Sequence, residues 1–321
     1  LARFFVQTTV TASGRQRRRL RSFVARRRAR LGGHVMSYSE AHRTRPGDRP
    51  DLRRLDPRGG SEAEDRKEAD ERIATYLKRL ERQQYLLYAE GRRSLLIILQ
   101  GMDAAGKDGV IRHVFSGMNP QGVRVAAFKQ PSPEEAAHDF LWRAHKAAPA
   151  RGEVAIFNRS HYEDVLIVRV REMVPPEVWR PRYEAINAFE AALAADGARI
   201  LKFFLHISPE EQLDRFRERL ENPERQWKIS ESDYTERKLW DRYLDAYEDA
   251  LERTSTPHAP WFVIPSDHKW RRNLVVAEII AETLEEMDLR TPPATVDLAD
   301  IRRRFHAARE AEKRASHGTP R

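Results

Sequence analysis

The stretch "SLLIILQGMDAAGKDGVIRHV", residues 94–114, decides how the chain is read. Five consecutive apolar residues, from Leu95 to Leu99, suit a strand buried on both faces. Gly101, Gly106 and Lys107 follow with the spacing of a phosphate-binding loop, and an apolar stripe at helical spacing comes next. In that context the loop's backbone N–H groups converge on an anion, and the N-terminus of the following helix adds partial positive charge. Lys107 supplies a full charge. A glycine-rich turn with an ordinary surface lysine is the plainer reading, and the flanking strand and helix weigh against it.

Two acids set this loop apart. Such loops usually carry Ser or Thr where this one has Asp108, and Asp103 lies inside the loop. A carboxylate is a strong ligand for a hard cation, but it repels phosphate unless a metal lies between them. Asp103 and Asp108 are therefore expected to act with Mg²⁺, with Mn²⁺ as the alternative. The plainer reading of Asp108 is a first-turn acid that complements the helix dipole.

Short apolar runs at 123–128, 153–157, 199–207 and 261–265 read as further strands. Helical patterns separate them, and "SPEE" at Ser132 and again at Ser208 offers an N-cap, a first-turn proline and a capping glutamate. A helix over 61–93 places Ile73, Tyr76, Leu77, Leu80 and Leu87 near one face, as a core-covering helix would. The alternation predicts an α/β fold of the P-loop kinase-like type: a three-layer sandwich, its parallel sheet flanked by helices, with a helical lid.

Composition narrows the function. The chain has 321 residues, no cysteine and scattered histidines, which excludes disulfides, thiolate nucleophiles and cysteine-held metals. A reducing, cytoplasmic setting fits, and no apolar run approaches the ~18 residues of a membrane span. The net charge of +9 is misleading, because ten arginines and no acids fall within residues 1–35, leaving the remainder close to neutral. That basic segment has three readings: a nucleic-acid or anionic-surface arm, a transit peptide, or an upstream start with Met36 opening the chain. The last is the favoured expectation. Residues 37–61 are polar, with Pro46, Pro50, Pro57, Gly59 and Gly60. The expected organisation is a disordered arm over 1–61, a catalytic domain over 62–290 and a fraying charged tail over 291–321.

A second cluster follows the strand "EVAIF" as Asn158 and then "RSHYEDV". A phosphoryl-transfer enzyme needs a further polar site at the carboxyl end of a nearby strand. Asn158 is a weaker metal ligand than the usual Asp, Glu163 and Asp164 add charge, and Arg159 suits a bidentate phosphate clamp. A helix start with ordinary surface charges is the plainer reading. Residues 213–243, "LDRFRERLENPERQWKISESDYTERKLWDRY", are rich in Arg and Lys and break at Asn222-Pro223. A solvated charged helix is one reading. Two helices with a hinge, forming a lid that closes over phosphates and excludes water, is the other.

Six ordered motifs, "GMDAAGKDGVIRHV", "MNPQGVRVAAFKQPSPEE", "DFLWR", "IFNRSHYEDVLIVRV", "PERQWKISESDYTER" and "PSDHKWRRN", resemble the polyphosphate kinase 2 family over roughly residues 62–290. "FNRSHYED" is most similar to the class III branch, which phosphorylates both AMP and ADP. Other branches carry Asp at the position of Asn158 and Asn at that of Glu163. The resemblance implies that Gly101, Gly106 and Lys107 hold the transferring phosphates, and that Asp103 and Asp108 handle Mg²⁺ and phosphate. It implies that Arg159 contacts phosphate and that Glu163 marks the AMP-using branch. It also implies that Arg215, Arg219 and Lys228 line the polyphosphate path, and that the protein forms a homo-oligomer. The expected partners are inorganic polyphosphate and AMP or ADP, with no membrane or nucleic acid.

Two other classes compete. An ATP-dependent nucleoside monophosphate kinase of the thymidylate or adenylate type shares loop, sheet and lid, and is separated by its phosphate donor. A nucleotide switch would carry an Asn-Lys-x-Asp base-reading motif, which is absent. A nucleic-acid binder would lose its affinity with residues 1–35.

Overall fold

The computed structural model describes residues 37–60 and 66–317. The chain divides into two units, Leu1–Ala41 and His42–Arg321. Of the first, only the residues from Ser37 onward are described. There Ser37 Oγ accepts from the Glu40 N–H at 3.2 Å, which caps a helical turn. The expectations for the basic segment fall outside the described residues, as does the predicted helix start at Ser61.

The second unit is built on five parallel strands: β1 (Ser94–Gln100), β2 (Val123–Ala127), β3 (Val154–Asn158), β4 (Ala198–His206) and β5 (Trp261–Pro265). Their spatial order is β2-β3-β1-β4-β5. β1 is central and buried along its whole length, as its unbroken apolar run requires. The predicted strands agree with these spans to within a residue at each end.

Eight principal helices are α1 (Arg66–Glu90), α2 (Lys107–Val114), α3 (Arg182–Ala195), α4 (Pro209–Glu221), α5 (Glu231–Arg237), α6 (Trp240–Thr254), α7 (Lys269–Glu286) and α8 (Leu298–His317). α1, α2 and α7 pack together on one side of the sheet, and α3 and α6 pack together on the other. Both "SPEE" signals start helices. Ser208 Oγ accepts from the Glu211 N–H at 3.1 Å at the head of α4, and Ser132 with Glu135 forms a full capping box. The second opens only a single turn, Pro133–Ala136.

Two organisational expectations are corrected. Residues 42–60 are not a free arm but a strap along the edge of the sheet. Thr44 N donates to the Trp261 carbonyl at 2.9 Å, and Arg43 bridges Phe262 antiparallel, so the strap covers the open edge of β5. Leu52 is buried, and Arg49 and Arg53 pair with Asp245, Glu248 and Asp249 on α6. The prolines and glycines that read as linker are the turns of this strap. The tail expected to fray instead carries α8, a 20-residue helix whose charged side chains include the pairs Asp300–Arg303 and Asp300–Arg304.

Candidate active site

β1 delivers the chain into the loop at Gly101, and the loop closes at Gly106 where α2 begins. Both glycines are required by geometry. Gly101 has φ 151°, and a Cβ there would lie 2.7 Å from the Leu205 carbonyl oxygen. Gly106 has φ 104°, and its Cβ would lie 1.9 Å from Arg272 Nη1. Lys107 reaches back from the first turn of α2, and its Nζ donates to the carbonyls of Gly101 at 2.6 Å and Met102 at 3.2 Å. Burial, with Arg159 nearby, pushes its ammonium down to about 8.

Sheet register brings the second cluster alongside. Asn158 pairs with Leu99, and Arg159 N donates to the Leu99 carbonyl at 3.0 Å. The two motifs, some fifty residues apart in sequence, therefore meet at the carboxyl ends of adjacent strands. Arg159 sits in the left-handed region at φ 60°, a strained conformation held by this contact and by the buried Ser160 that follows. Its Nη2 donates to Asp103 Oδ1 at 2.7 Å. Burial opposes the charge on Arg159, but Glu163 and Asp103 hold the guanidinium above its ordinary range. Burial pushes Glu163 up, with Arg159 and Lys107 working against it.

Asp108 stands on the other side of the loop. Asn158 Nδ2 donates to its Oδ1 at 2.8 Å, and Lys228 Nζ lies 3.6 Å from its Oδ2. Burial would raise this carboxyl, but these two partners hold it below the usual range. Asp103 and Asp108 thus face different neighbours. Among the described residues no group of three or more His, Cys, Asp or Glu could enclose a metal. The donor set nevertheless fits Mg²⁺ or Mn²⁺, since Mg²⁺ is commonly held by one or two carboxylates together with substrate phosphates and water.

The basic segment is divided by burial. α4 belongs to the body, with Gln212, Arg215 and Phe216 buried. The chain turns at Asn222, and the part that reaches the loop is a 3₁₀ turn, Gln226–Lys228, followed by α5. The lid is therefore shorter than 213–243. Arg219 ties it internally, with its guanidinium 3.6 Å from Asp233 and 3.4 Å from the Lys228 carbonyl. Lys228 reaches the loop at Asp108. Arg215 is a correction to the expected polyphosphate path. Its Nε donates to Glu211, its Nη1 to the carbonyls of Ala104 and Ala105, and its Nη2 to those of Ser266 and Asp267, all within 3.0 Å. It braces the loop from beneath and has no N–H left for substrate.

A cavity of about 260 Å³ opens beside Gly101, Met102 and Asp103, with Arg159 and Glu163 in its wall. Trp240, Tyr243 and Tyr247 of α6 form an aromatic side, and Ser232, Glu236 and Arg237 of α5 close it. The predicted lid, 213–243, takes in all of these but Tyr247, though sequence reasoning assigned none of them to a cavity. Their signal was the aromatic spacing i, i+3, i+7 on one helical face, which reads equally well as core. α5 is anchored on both sides: Arg171 and Tyr243 bind Glu236, and Arg237 donates to Gln212 Oε1 at 2.9 Å. Behind the second cluster lies another feature that was missed. Lys202 Nζ meets Glu190 at 2.5 Å and Tyr162 OH at 2.9 Å, with His161 3.6 Å from Glu190, all fully buried. Burial would raise the Glu190 carboxyl, but Lys202 and His161 hold it below the usual range. This network seats the turn that presents Arg159 and Glu163.

A glycine loop between strand and helix with a lysine reaching back across it, an adjoining cavity and a basic segment over it are the parts that phosphoryl transfer calls for. The class of protein is a P-loop kinase. Within it, the chain belongs to the polyphosphate kinase 2 family, whose model, described as Polyphosphate kinase 2 (PPK2), matches residues 62–292. An AMP/ADP-polyphosphate phosphotransferase of Meiothermus ruber is 53% identical over 252 residues, covering 78% of this chain and 94% of that protein. An ADP-polyphosphate phosphotransferase of Rhodopseudomonas palustris is 48% identical over 237 residues, 70% of this chain and 82% of the other. The crystal structure of polyphosphate kinase 2 from Arthrobacter aurescens TC1 superposes with a TM-score of 0.81 at 41% identity, over 85% of this chain and 98% of its own.

Proposed function

We propose that the terminal phosphates of polyphosphate lie on the loop 101–107 and that the acceptor nucleotide occupies the adjoining cavity. The protein is a polyphosphate-dependent nucleotide phosphotransferase acting on AMP and ADP; its relatives' names speak for this donor and not for the ATP-dependent alternative. The observation that carries the placement is the shared wall: Asp103, Arg159 and Glu163 border both the loop and the cavity. Lys107 and Arg159 neutralise charge as the phosphoryl group passes between donor and acceptor. The acceptor phosphate is already anionic, so no general base is assigned. Asp103 orients Arg159 through their hydrogen bond, Glu163 adds negative charge beside it, and the aromatic side of α6 supplies flat apolar surface for a base.

Mg²⁺, or Mn²⁺ in its place, supplies charge neutralisation on the phosphates when bound, and Asp108 and Asp103 are the residues that would hold it. A homo-oligomer and a cytoplasmic setting belong to the same reading. Among the described residues no helix is long and apolar enough to cross a membrane.

The test is an end-point assay with AMP, Mg²⁺ and polyphosphate and no ATP. ADP and then ATP are expected, and Lys107→Ala should lower turnover by on the order of 10³-fold. Product that forms only when ATP is supplied would restore the nucleoside monophosphate kinase.

A further inference from the structure

Arg272, in the motif "PSDHKWRRN", lies against the backbone of the phosphate loop and is not among the residues that line the cavity. α7 brings its guanidinium against the glycines that open α2: a Cβ on Gly106 would fall 1.9 Å from its Nη1, and one on Gly109 2.9 Å from its Nη2. The residue is 2% exposed. Its Nη1 donates to the Ala105 carbonyl at 3.3 Å, and its Nε and Nη2 donate to Asn273 Oδ1 at 3.2 and 2.9 Å. Both acceptors are neutral.

The neighbouring charge is another cation. Arg215 meets the same stretch of loop backbone, and its own charge is answered by Glu211 at 2.8 Å. Burial and Arg215 push Arg272 down to about 9, with Glu211 acting on it only from a distance. Among the described residues no ion pair joins Arg272 to a carboxylate. A buried cation without a counter-ion is a cost to the ligand-free fold, and an apolar residue of similar volume avoids that cost. The same charge, one peptide layer below the loop, is an asset once an anion lies on the other side, because the intervening layer is dry and screens it weakly.

We propose that Arg272 is a positioning residue that charges the underside of the phosphate loop, with the polyphosphate bound on the upper face as its counter-anion. The proposal rests on the reading that polyphosphate lies on this loop. It makes Arg272 a stability liability that anion binding relieves, whereas Arg215, with an acid and four carbonyls, is a structural brace.

The test uses the full chain carrying Arg272→Met, Arg272→Gln or Arg272→Lys. Melting temperature is measured with and without polyphosphate, and kcat and KM are measured for polyphosphate with AMP as acceptor. Arg272→Gln keeps hydrogen-bonding capacity without charge, so it carries the test if the Met variant does not fold. The ligand-free melting temperature of the neutral variants should equal or exceed that of the wild type. Their polyphosphate-induced rise should shrink, and KM for polyphosphate should grow by about tenfold with a smaller change in kcat. Arg272→Lys should recover most of both. If the ligand-free Gln variant melts lower and keeps the full polyphosphate-induced rise, Arg272 is a packing residue and the proposal fails. Lys107→Ala separates the parent reading: if polyphosphate still raises its melting temperature as in the wild type, the polyphosphate is not on the loop.

Discussion

The phosphate loop is basic on both faces, and the two faces use that charge differently. Above it, Lys107, Arg159 and Lys228 point toward the cavity or across the loop mouth, each within reach of an acid or a carbonyl that substrate can replace. Below it, Arg215 and Arg272 are buried and spend their N–H groups on backbone and side-chain oxygens. Exposure alone does not divide them, since Lys107 is buried too; it stands at the loop mouth, where an anion can replace the carbonyls it holds, whereas Arg215 and Arg272 lie behind the loop backbone. The charges are alike, and the face of the loop each one occupies sets its role.

The largest effect that sharpens this contrast comes from the deepest pair. Removing either member of Lys202–Glu190, as Lys202→Met or Glu190→Met, should destabilise the chain by about 3–5 kcal/mol, because the other charge is left buried and unpaired. The double substitution should recover most of that loss in chemical denaturation. Singles and double of equal cost would break the view of the network as a coupled pair. Arg215→Met should follow, at about 2–3 kcal/mol from several orphaned carbonyls, with kcat and KM both worsened. Unchanged stability there would return Arg215 to the substrate path.

A pH series gives the next effect. Lys107, down at about 8, loses its proton before the 10.5 of an ordinary lysine. Between those values the unfolded chain binds the extra proton, so folding stability rises with pH through this window as the cost of the buried ammonium disappears. Catalysis runs the other way: kcat/KM for polyphosphate should fall about tenfold per pH unit above 8, since that ratio reports the free enzyme. A profile flat to pH 10 would place the essential charge elsewhere. The smallest effects belong to the exposed residues. Lys228→Ala should raise KM for polyphosphate by about threefold, while Arg217→Ala, paired with Asp214 in solvent, should change stability by less than about 0.5 kcal/mol and leave KM unchanged. Equal effects at the two positions would mean the lid acts as a diffuse basic surface rather than through Lys228.

Much of this molecule is local and therefore legible in the chain. The five strands, the two serine caps, the loop and its lysine are short-range patterns of hydrophobicity, turn chemistry and charge, and the motifs around them are enough to assign the family. The strap over 42–60 was misread because its prolines and glycines carry the same signal in a linker as in a docked segment. Only its pairing with β5 and α6, some two hundred residues away, separates the two. The roles of Arg215, Arg219 and Lys228 were unreadable for a related reason: all three lie in one basic run, and which way each side points depends on what packs behind α4. The cavity's aromatic side lies within one helix, but its spacing reads equally well as core, while the Lys202–Glu190–His161 network joins residues from different elements, so no sequence window contains it. Local sequence determined the loop and the class of chemistry, through backbone geometry and propensity. Tertiary structure decided which charges stand at the loop mouth and which support the loop from behind, because burial and long-range pairing exist only once the sheet has closed.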